Sequence, residues 1–270
     1  MILSIITINR NNASGLEKTM KSVLSQSGTD FEYVVVDGAS TDNSVEVIQR
    51  FARDFGDRLR WISEPDKGIY NAMNKGIRIA SGSYLEFLNS GDSLVADNVL
   101  EKVCDALEQK EYPPILYGNM LKDMPGGSIR RDKGIAGEEI SFLDFYNGSL
   151  NHSSAFIRKE LFEKYGFYDE SLKVVSDWKW FLQAIIFGGE KPAYMDLDVS
   201  LFDMNGISET NRPLTQRERQ KVPAEYVSPA ILADYQEWAP EIRKMKRIRR
   251  HPWAYQIVRL LERTLFKLEK

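Results

Sequence analysis

Tyr84-Leu85-Glu86-Phe87-Leu88, followed by Asn89-Ser90-Gly91-Asp92, is the stretch that decides how this chain folds. The first five residues are mostly apolar and predict a short buried strand, and the next four predict a turn. Glycine lets the backbone bend sharply, so a carboxamide and a carboxylate come together where the strand ends. Ligands of open parallel sheets bind at that end, and such oxygen atoms suit a hard cation or a phosphate site.

Strand and helix patterns alternate upstream of this turn, with short connections between them. Apolar and β-branched runs predict strands at residues 2–8, 31–36 and 59–62, each followed by a helical pattern. Ser14 and Glu17 have the spacing of a capping box at the start of the first helix. This alternation is typical of right-handed βαβ units and a parallel sheet.

Polar side chains follow the ends of the four predicted strands, at Thr7, Asp37, Glu64–Asp66 and Asn89 to Asp92. Because the carboxyl ends of parallel strands meet at one edge of a sheet, we expect one pocket. Asp37 could hydrogen-bond a nucleoside, or could only form the turn and cap the next helix. Asn89 and Asp92 could hold a metal ion, or could form a reverse turn without a ligand.

The sheet is expected to become mixed downstream of that turn. A helix is predicted at about 96–110, and Met124-Pro125-Gly126-Gly127 has the composition of a hairpin tip. Residues 151–158 predict a further strand. It would carry His152, one of only two histidines, either as a metal or diphosphate contact or as a satisfied polar group.

Ser176 and Asp177 stand at the start of a strongly apolar helical pattern that ends before Gly188. Asp177 could complement the helix dipole, with Ser176 as the N-cap. It could instead deprotonate an acceptor hydroxyl as a general base. The residues alone leave both interpretations open.

Two nucleotide-binding signatures are missing from the sequence. No Gly-x-Gly-x-x-Gly follows the first strand, which argues against a dinucleotide-binding Rossmann domain. No Gly-Lys-Ser/Thr loop is present either, which argues against a P-loop NTPase.

The 270 residues are 43% hydrophobic and 28% charged, as in an ordinary soluble globular protein. The formal net charge of −3 gives no general attraction to nucleic acid, but residues 241–270 carry ten Lys/Arg against three Glu. That segment is therefore +7 and the preceding 240 residues are −10. Trp253, Ile257 and Leu261 fall near one helical face of it. The tail is predicted either to dock on the domain or to lie on an anionic membrane.

Cys104 is the single cysteine, which excludes an intramolecular disulfide and a cysteine-cluster metal site. The N-terminus lacks the pattern of a signal peptide, and no apolar run approaches about 20 residues. We therefore expect a cytoplasmic protein, with peripheral attachment to the inner face of the plasma membrane as the alternative for the tail.

Several of these motifs together resemble the inverting family 2 glycosyltransferases of the GT-A fold. The resemblance is closest to bacterial enzymes of polysaccharide assembly, the colanic-acid type among them. The matching stretches cover about residues 1–210 in the right order and are Ser4–Thr7, Val35–Asp42, Ser63–Gly76, Phe87–Asp92, Asn151–Ser153 and Ser176-Asp177. The segment from Glu64 to Gly76 is the most distinctive of them.

The resemblance implies an α/β fold with a mixed central sheet and C-terminal helices. Residues 1–212 would form the GT-A domain, with a nucleotide-binding half at 1–92 and an acceptor-binding half at 93–212. Residues 213–270 would be a helical extension that carries the basic amphipathic tail. The implied donor is a nucleoside-diphosphate sugar, the acceptor a glycan or lipid-linked glycan, and the cofactor Mg²⁺ or Mn²⁺. The implied role lies in cell-surface polysaccharide biosynthesis.

The resemblance also implies a role for individual residues. Asp177 would be the catalytic base and Asp92 the metal-binding acid. The residues expected at the nucleotide sugar are Thr7, Asp37, Asp66, Asn74, Asn89 and His152.

Asn89 and Gly91 stand where the family often has two acids of an Asp-x-Asp-Asp motif. Asn can still offer a carbonyl oxygen and Asp92 remains, so metal binding is weakened rather than excluded. The alternative is an inactive nucleotide-sugar-binding or scaffold protein of the same fold. A nucleotidyltransferase would need a Gly-rich basic loop after the first strand, and Asn9-Arg10-Asn11-Asn12 is not one.

Overall fold

A mixed sheet organises the larger part of the chain, and nine strands belong to it among the residues that can be described. The computed structural model describes residues 3–28, 30–124, 126–135, 139–206 and 210–268. The chain divides into two units, Met1–Arg219 and Gln220–Lys270. The sheet lies in the first unit.

The strands are β1 (Leu3–Asn9), β2 (Phe31–Asp37), β3 (Leu59–Ser63), β4 (Tyr84–Phe87), β5 (Ser93–Leu94), β6 (Ile115–Met124), β7 (Ser128–Asp132), β8 (Ala155–Arg158) and β9 (Ala193–Phe202). Their order across the sheet is β3-β2-β1-β4-β8-β6-β9-β5, and β7 pairs with β6. Strands β3, β2, β1 and β4 are mutually parallel, whereas β8 is antiparallel to both β4 and β6. The predicted mixed sheet and the predicted hairpin between β6 and β7 are confirmed.

The helices of this unit are α1 (Ala13–Leu24), α2 (Ser44–Phe55), α3 (Ile69–Ile79), α4 (Val99–Gln109), α5 (Phe142–Asn147), α6 (Glu160–Tyr165), α7 (Ser176–Phe181) and α8 (Arg212–Lys221), the last of which ends just inside the second unit. Helix α7 continues as a π-helix over Leu182–Phe187. Strand and helix alternate from β1 to β4, as predicted. This alternation brings the carboxyl ends of four parallel strands to one edge.

Helices cover both faces of the parallel strands, which explains why those strands are almost continuously apolar. Ile5 of β1 belongs to the core cluster that α1, α2 and α4 complete, whereas Ile6 faces α3. Gly76 allows α3 to approach closely, because a Cβ there would lie 2.5 Å from the Cγ2 methyl of Ile6. The glycine at position 76 therefore sets the distance between α3 and the sheet, and this distance in turn positions the loop that leads into α3.

The capping box predicted at Ser14 and Glu17 is wrong. Helix α1 begins at Ala13, and its N-cap is Asn12, whose side chain accepts a hydrogen bond from the Gly15 N–H at 3.2 Å. Glu17 instead forms ion pairs on the helix surface.

The strand predicted at residues 151–158 is wrong in its first half. His152–Ser154 form a 3₁₀ turn, and β8 begins only at Ala155. The Ser154 N–H donates to the Asn151 carbonyl, which bends the chain and turns His152 out of the sheet. The pattern of apolar and polar residues does not reveal such a turn, because the residues before and after the turn are buried, as they would be in a continuous strand.

The second unit is helical, with a 3₁₀ turn at Val222–Glu225 followed by α9 (Pro229–Arg249) and α10 (Pro252–Leu268). Ser228 caps α9 through the Ile231 N–H. Large apolar side chains are exposed on both helices, with Trp253 70% and Leu260 65% accessible. None of the helices in the described ranges combines the length and the hydrophobicity needed to cross a bilayer.

Candidate functional site

A cavity of about 790 Å³ opens beyond the carboxyl ends of β1 and β4. Its wall combines the strand-end loops of the parallel strands with the 3₁₀ turn before β8 and the start of α7. The predicted site residues that line it are Asp66, Asn89, Asp92, His152 and Asp177. Residues separated by more than a hundred positions in sequence therefore share one cavity.

Three predicted site residues do not line the cavity, because hydrogen bonds hold their side chains beneath it. Asp37 is fully buried and accepts from Asn9 Nδ2 at 2.9 Å and Ser63 Oγ at 2.7 Å. Asn9 itself lines the cavity, so Asp37 acts on the wall through it. Although burial opposes this, the hydrogen bonds that the carboxylate accepts lower the pKa of Asp37. An ionised Asp37 therefore suits a fixed structural position.

Thr7 and Asn74 have similar supporting positions. Thr7 donates to the Leu88 carbonyl at 2.6 Å, which ties β1 to the residue that begins the turn after β4. Asn74 on α3 donates to the Tyr168 carbonyl and accepts from the Tyr168 N–H, at 2.9 and 3.0 Å. These bonds align the segments that carry the residues of the wall.

Asp177 lies in the first turn of α7, with its carboxylate in the cavity wall. The Tyr70 hydroxyl donates to Asp177 Oδ1 at 2.8 Å, and His152 Nδ1 lies 3.9 Å from Oδ2. Burial raises the pKa of Tyr70 well above its usual value, and the negative charge of Asp177 adds to this effect. Tyr70 therefore remains a proton donor to the carboxylate. Oδ2 is the oxygen without a close donor among the described residues.

His152 is held in an aromatic cage. Its ring stacks on Phe87 at 4.9 Å and meets Phe181 and Tyr168 edge-on. Burial lowers the pKa of His152, against the opposing charge of Asp177, so the imidazole is neutral near pH 7. Nε2 lies 2.8 Å from the Tyr168 hydroxyl. A carboxylate near Nδ1 favours the proton on that atom, which makes Tyr168 the donor to Nε2.

Asp92 also lies in the wall of the cavity, together with Asn89 and Asp203. Asp92 Oδ1 accepts from the Asp203 N–H at 2.7 Å. Burial, together with the charge of Asp203, raises the pKa of Asp92 to about 7, and the hydrogen bond from the Asp203 N–H and the charge of Lys18 oppose this rise. Asn89 Oδ1 is buried and has no hydrogen-bond partner in the described part of the chain. A cation bound between the two carboxylates and the amide oxygen would therefore stabilise all three groups.

These oxygens fit a divalent cation. Carboxylate and amide oxygens are the ligands of Mg²⁺ and Mn²⁺, and such ions often take few ligands from protein and the rest from phosphate and water. No group of three or more His, Cys, Asp or Glu side chains in the described ranges could hold a metal ion by itself. A cation at Asp92 would thus need the diphosphate of a ligand to complete its coordination.

Helix α1 supports the turn that carries Asp92. Thr19 donates to the Asp92 carbonyl at 2.6 Å and accepts from the Gly91 N–H at 3.0 Å. Gly91 has a φ of +107°, and a Cβ at that position would lie 2.6 Å from Asp203 Oδ2. Glycine is therefore required twice, for its backbone conformation and for the close approach of the second acid.

Asp66 lines the cavity on the side of β2 and β3. Its Oδ1 accepts from the Gly68 N–H at 2.9 Å, and Arg10 Nη1 lies 3.9 Å away. A Cβ on Gly38 would clash with Asp66 Oδ2, so the glycine in the turn after β2 leaves room for this carboxylate. This corner offers an acid and an arginine for recognition of a ligand.

Tyr70, Asp203 and Arg219 also line the cavity, and residue patterns did not single them out. Asp203 directly follows β9, so the rule applied to the first four strands would have found it. Tyr70 lies within the distinctive Glu64–Gly76 segment, but only coordinates reveal its bond to Asp177. Arg219 lies in a polar helix far downstream and carries no local signal.

The family model described as Glycosyl transferase family 2 matches residues 4–166 of this chain. A PGL/p-HBAD biosynthesis glycosyltransferase of Mycobacterium bovis (strain BCG / Pasteur 1173P2) is 29% identical over 214 residues, which are 77% of this chain and 80% of that protein. A protein named as an uncharacterized glycosyltransferase of Mycobacterium tuberculosis (strain ATCC 25618 / H37Rv) is 31% identical, over 78% of each chain.

Solved structures share the fold at lower identity. The mannosyltransferase PcManGT from Pyrobaculum calidifontis, in complex with GDP-Man and Mn²⁺, aligns with a TM-score of 0.63 at 17% identity, over 94% of this chain and 72% of that one. S. aureus TarS 1-349 in complex with UDP-GlcNAc aligns with a TM-score of 0.60 at 18% identity, over 75% of this chain and 58% of that one. The expected GT-A fold is thereby confirmed.

Proposed function

Because this chain belongs to glycosyl transferase family 2, we propose that it transfers a sugar from a nucleoside-diphosphate sugar to a hydroxyl group, with inversion. The proposed acceptor is a glycan or a lipid-linked glycan of cell-surface polysaccharide biosynthesis. One observation carries the proposal beyond the family: Asp92 and Asp177 line the same cavity. Asp92 lies beside further oxygen ligands that could hold a cation, whereas Asp177 has Oδ2 available as a base. The two solved neighbours, whose names include UDP-GlcNAc and GDP-Man, support a nucleotide sugar as the donor.

Asp177 is proposed as the general base of a single displacement. Its Oδ2 takes the proton of the acceptor hydroxyl while the acceptor oxygen bonds to the anomeric carbon. The bond from that carbon to the diphosphate oxygen breaks, and the nucleoside diphosphate leaves with the electron pair. Configuration inverts because attack and departure occur on opposite faces. Tyr70 occupies Oδ1 and leaves Oδ2 to face the acceptor.

Asp92, Asp203 and Asn89 would hold Mg²⁺ or Mn²⁺, which supplies positive charge for the departing diphosphate. The neighbour bound to GDP-Man and Mn²⁺ supports this cofactor. Among the residues of this chain, Lys18 holds the turn in place through its bond to the Gly91 carbonyl at 2.9 Å.

The nucleoside is proposed to lie at the corner formed by Asp66 and Arg10. Asp37 would act there by fixing Asn9, and Thr7 by fixing the turn after β4. Asn74 would act at longer range, since it aligns the segment that carries Tyr168, the partner of His152. His152 would border the donor and acceptor portions of the cavity.

The experiment that tests this function is a screen of UDP-, GDP- and TDP-sugars by thermal shift, each with and without Mn²⁺, followed by detection of released nucleoside diphosphate. We expect one nucleotide class to raise the melting temperature, more so with Mn²⁺, and to turn over. Tight binding with no turnover in the presence of crude glycolipid acceptor would favour the inactive binding or scaffold protein. Absence of any nucleotide binding would contradict both.

The second unit is proposed to attach the protein to the cytoplasmic leaflet of a membrane. Helices α9 and α10 carry the excess of Lys and Arg, and their exposed apolar residues include Trp238, Trp253 and Leu260. A helix with both features binds the headgroup region of anionic bilayers. A lipid-linked acceptor would be reached at the same surface.

A further inference from the structure

Arg219 places a cation in the cavity wall. Its hydrogen bond goes from Nη1 to the Gly148 carbonyl at 3.1 Å, and its guanidinium lies 4.8 Å from the centre of the Trp178 ring. Within the described ranges it forms no ion pair at 4.0 Å or less. Burial lowers the pKa of Arg219, against the opposing charge of Asp177. A partly buried guanidinium in this state is stabilised by any anion that enters the cavity.

The guanidinium is held in place by its surroundings. Glu218, the preceding residue, accepts hydrogen bonds from the N–H groups of Lys173, Val174 and Val175 at 2.8, 3.0 and 3.2 Å. These bonds tie α8 to the segment that leads into α7. The Trp178 ring packs against the Arg219 guanidinium, and one of the five N–H donors bonds to a described residue, which leaves the other four for a ligand.

The position of Arg219 identifies which substrate it meets. Arg219 stacks on Trp178, which directly follows Asp177 in the first turn of α7, whereas Asp92 is bonded to Asp203. In an in-line displacement the base and the leaving group lie on opposite sides of the reacting carbon. A cation at the base end therefore faces the acceptor rather than the leaving diphosphate.

We propose that Arg219 binds an oxyanion, a phosphate or a carboxylate, that the acceptor carries close to its reacting hydroxyl. The inference rests on the proposed function, because only that function defines an acceptor. Guanidinium binds both oxyanions through two parallel hydrogen bonds, so the shared chemistry covers a sugar phosphate linked to a lipid and an acidic sugar. Leu150, Val174 and Trp178 would contact the apolar part of the same acceptor.

The test titrates inorganic phosphate, and separately acetate, into full-length protein saturated with UDP or GDP and Mg²⁺, by calorimetry at constant ionic strength. Wild type is expected to bind at least one anion beside the nucleotide. Arg219→Gln is expected to weaken that binding about tenfold or more, as loss of a charge-assisted pair predicts, and to leave nucleotide affinity unchanged. Arg219→Lys should be intermediate. Arg217→Gln, on the exposed side of the same helix, is the matched control and should behave as wild type.

The inference is overturned if neither anion binds the loaded wild type, or if Arg219→Gln binds it equally well. It is also overturned if Arg219→Gln loses tenfold in nucleotide affinity, because the guanidinium then serves the donor diphosphate. If neither UDP nor GDP binds, the titration is run with TDP, and failure of all three to bind would instead contradict the proposed function. Phosphate titration of the nucleotide-free protein would then still report whether Arg219 is an anion site, but its assignment to the acceptor would fall. Melting curves of each variant confirm that it is folded.

Discussion

Tyr70 orients the carboxylate of Asp177 through a hydrogen bond. Tyr70 is 4% exposed, so its hydroxyl has little access to water, and the bond to Asp177 Oδ1 fixes the orientation of the carboxylate. Because Oδ1 is already engaged, this base presents only Oδ2 to a substrate. Correct orientation of such a group is worth a large part of its effect on rate.

We predict that Tyr70→Phe lowers kcat by roughly tenfold, the scale of one lost hydrogen bond to a charged group, and changes the donor KM little. Steady-state kinetics of sugar transfer measures both constants. The control is the same change in an Asp177→Asn background, where it should have no further effect because the base that Tyr70 orients no longer acts. Equal losses in the two backgrounds would mean that Tyr70 acts through general stability.

His152 predicts a pH dependence of stability. Because burial lowers the pKa of His152 below its usual 6.5, the unfolded chain takes up this proton before the folded chain does. The free energy of unfolding therefore falls as the pH drops below about 6.5. Well above that pH the imidazole is neutral in both states, and its titration no longer changes stability. We expect His152→Gln to lose less melting temperature than wild type between pH 7.5 and pH 5.5. An identical loss in both proteins would contradict a neutral buried imidazole.

The sequence predicted most of these residues for an identifiable reason. Asp92 and Asp177 stand beside strand and helix boundaries, where polar residues interrupt apolar runs and are easily noticed. Asp37 was expected in the pocket on the same rule, but its side chain is turned inward by Ser40, Ser63 and Asn9. The rule locates the end of a strand, and it does not give the direction of a side chain.

At the scale of elements, the turn between β4 and β5 joins the sheet to the part of the cavity that carries the proposed metal site. The strands around it were predictable because strands covered on both faces are continuously apolar. Helix α1 was predictable as a helix, but its cap was not, because Asn12 and Ser14 are both good caps and a structure must choose between them. The 3₁₀ turn at His152 had no distinguishing composition at all.

We predict that Gly91→Ala weakens binding of the nucleoside diphosphate and Mg²⁺ by tenfold or more. The alanine backbone would have to keep a φ of +107°, and its methyl group would displace Asp203 Oδ2. Calorimetry with the nucleotide found in the screen measures the affinity.

Gly126→Ala is the matched control for this change. Gly126 also has a positive φ, of +98°, but no atom lies within 4 Å of its added Cβ. Both variants should lose about 1–2 kcal/mol from backbone strain, and only Gly91→Ala should also lose affinity. Equal affinities in the two variants would show that the turn does not hold the ligand site.

At the scale of the whole molecule, the charge of the chain is divided between an acidic body and a basic tail. The GT-A fold follows from motifs spread in one order from Ser4 to Asp177, which no single element could have specified. The role of the tail does not follow from the fold, because amphipathic helices serve both for docking and for membrane binding.

We predict that the full-length protein co-sediments with vesicles of phosphatidylglycerol and phosphatidylethanolamine, and that 0.5 M salt weakens this binding. Leu260→Asp with Leu261→Asp should abolish it, because both side chains are more than half exposed on α10. The matched control is Glu262→Asp, which leaves the apolar face and the charge unchanged. If the double variant still co-sediments, or the wild type does not, the proposal that α10 attaches the protein to the membrane is contradicted.

The central claim is that Asp177 and Asp92 act at two ends of one nucleotide-sugar cavity. The most direct measurement compares turnover and nucleotide affinity in wild type, Asp177→Asn and Asp92→Asn. Asp177→Asn is expected to lower sugar transfer about 10²–10⁴-fold and keep Mn²⁺-dependent nucleotide binding, because it removes only the base. Asp92→Asn is expected to lose that Mn²⁺ dependence. Transfer at the wild-type rate by Asp177→Asn would contradict the account.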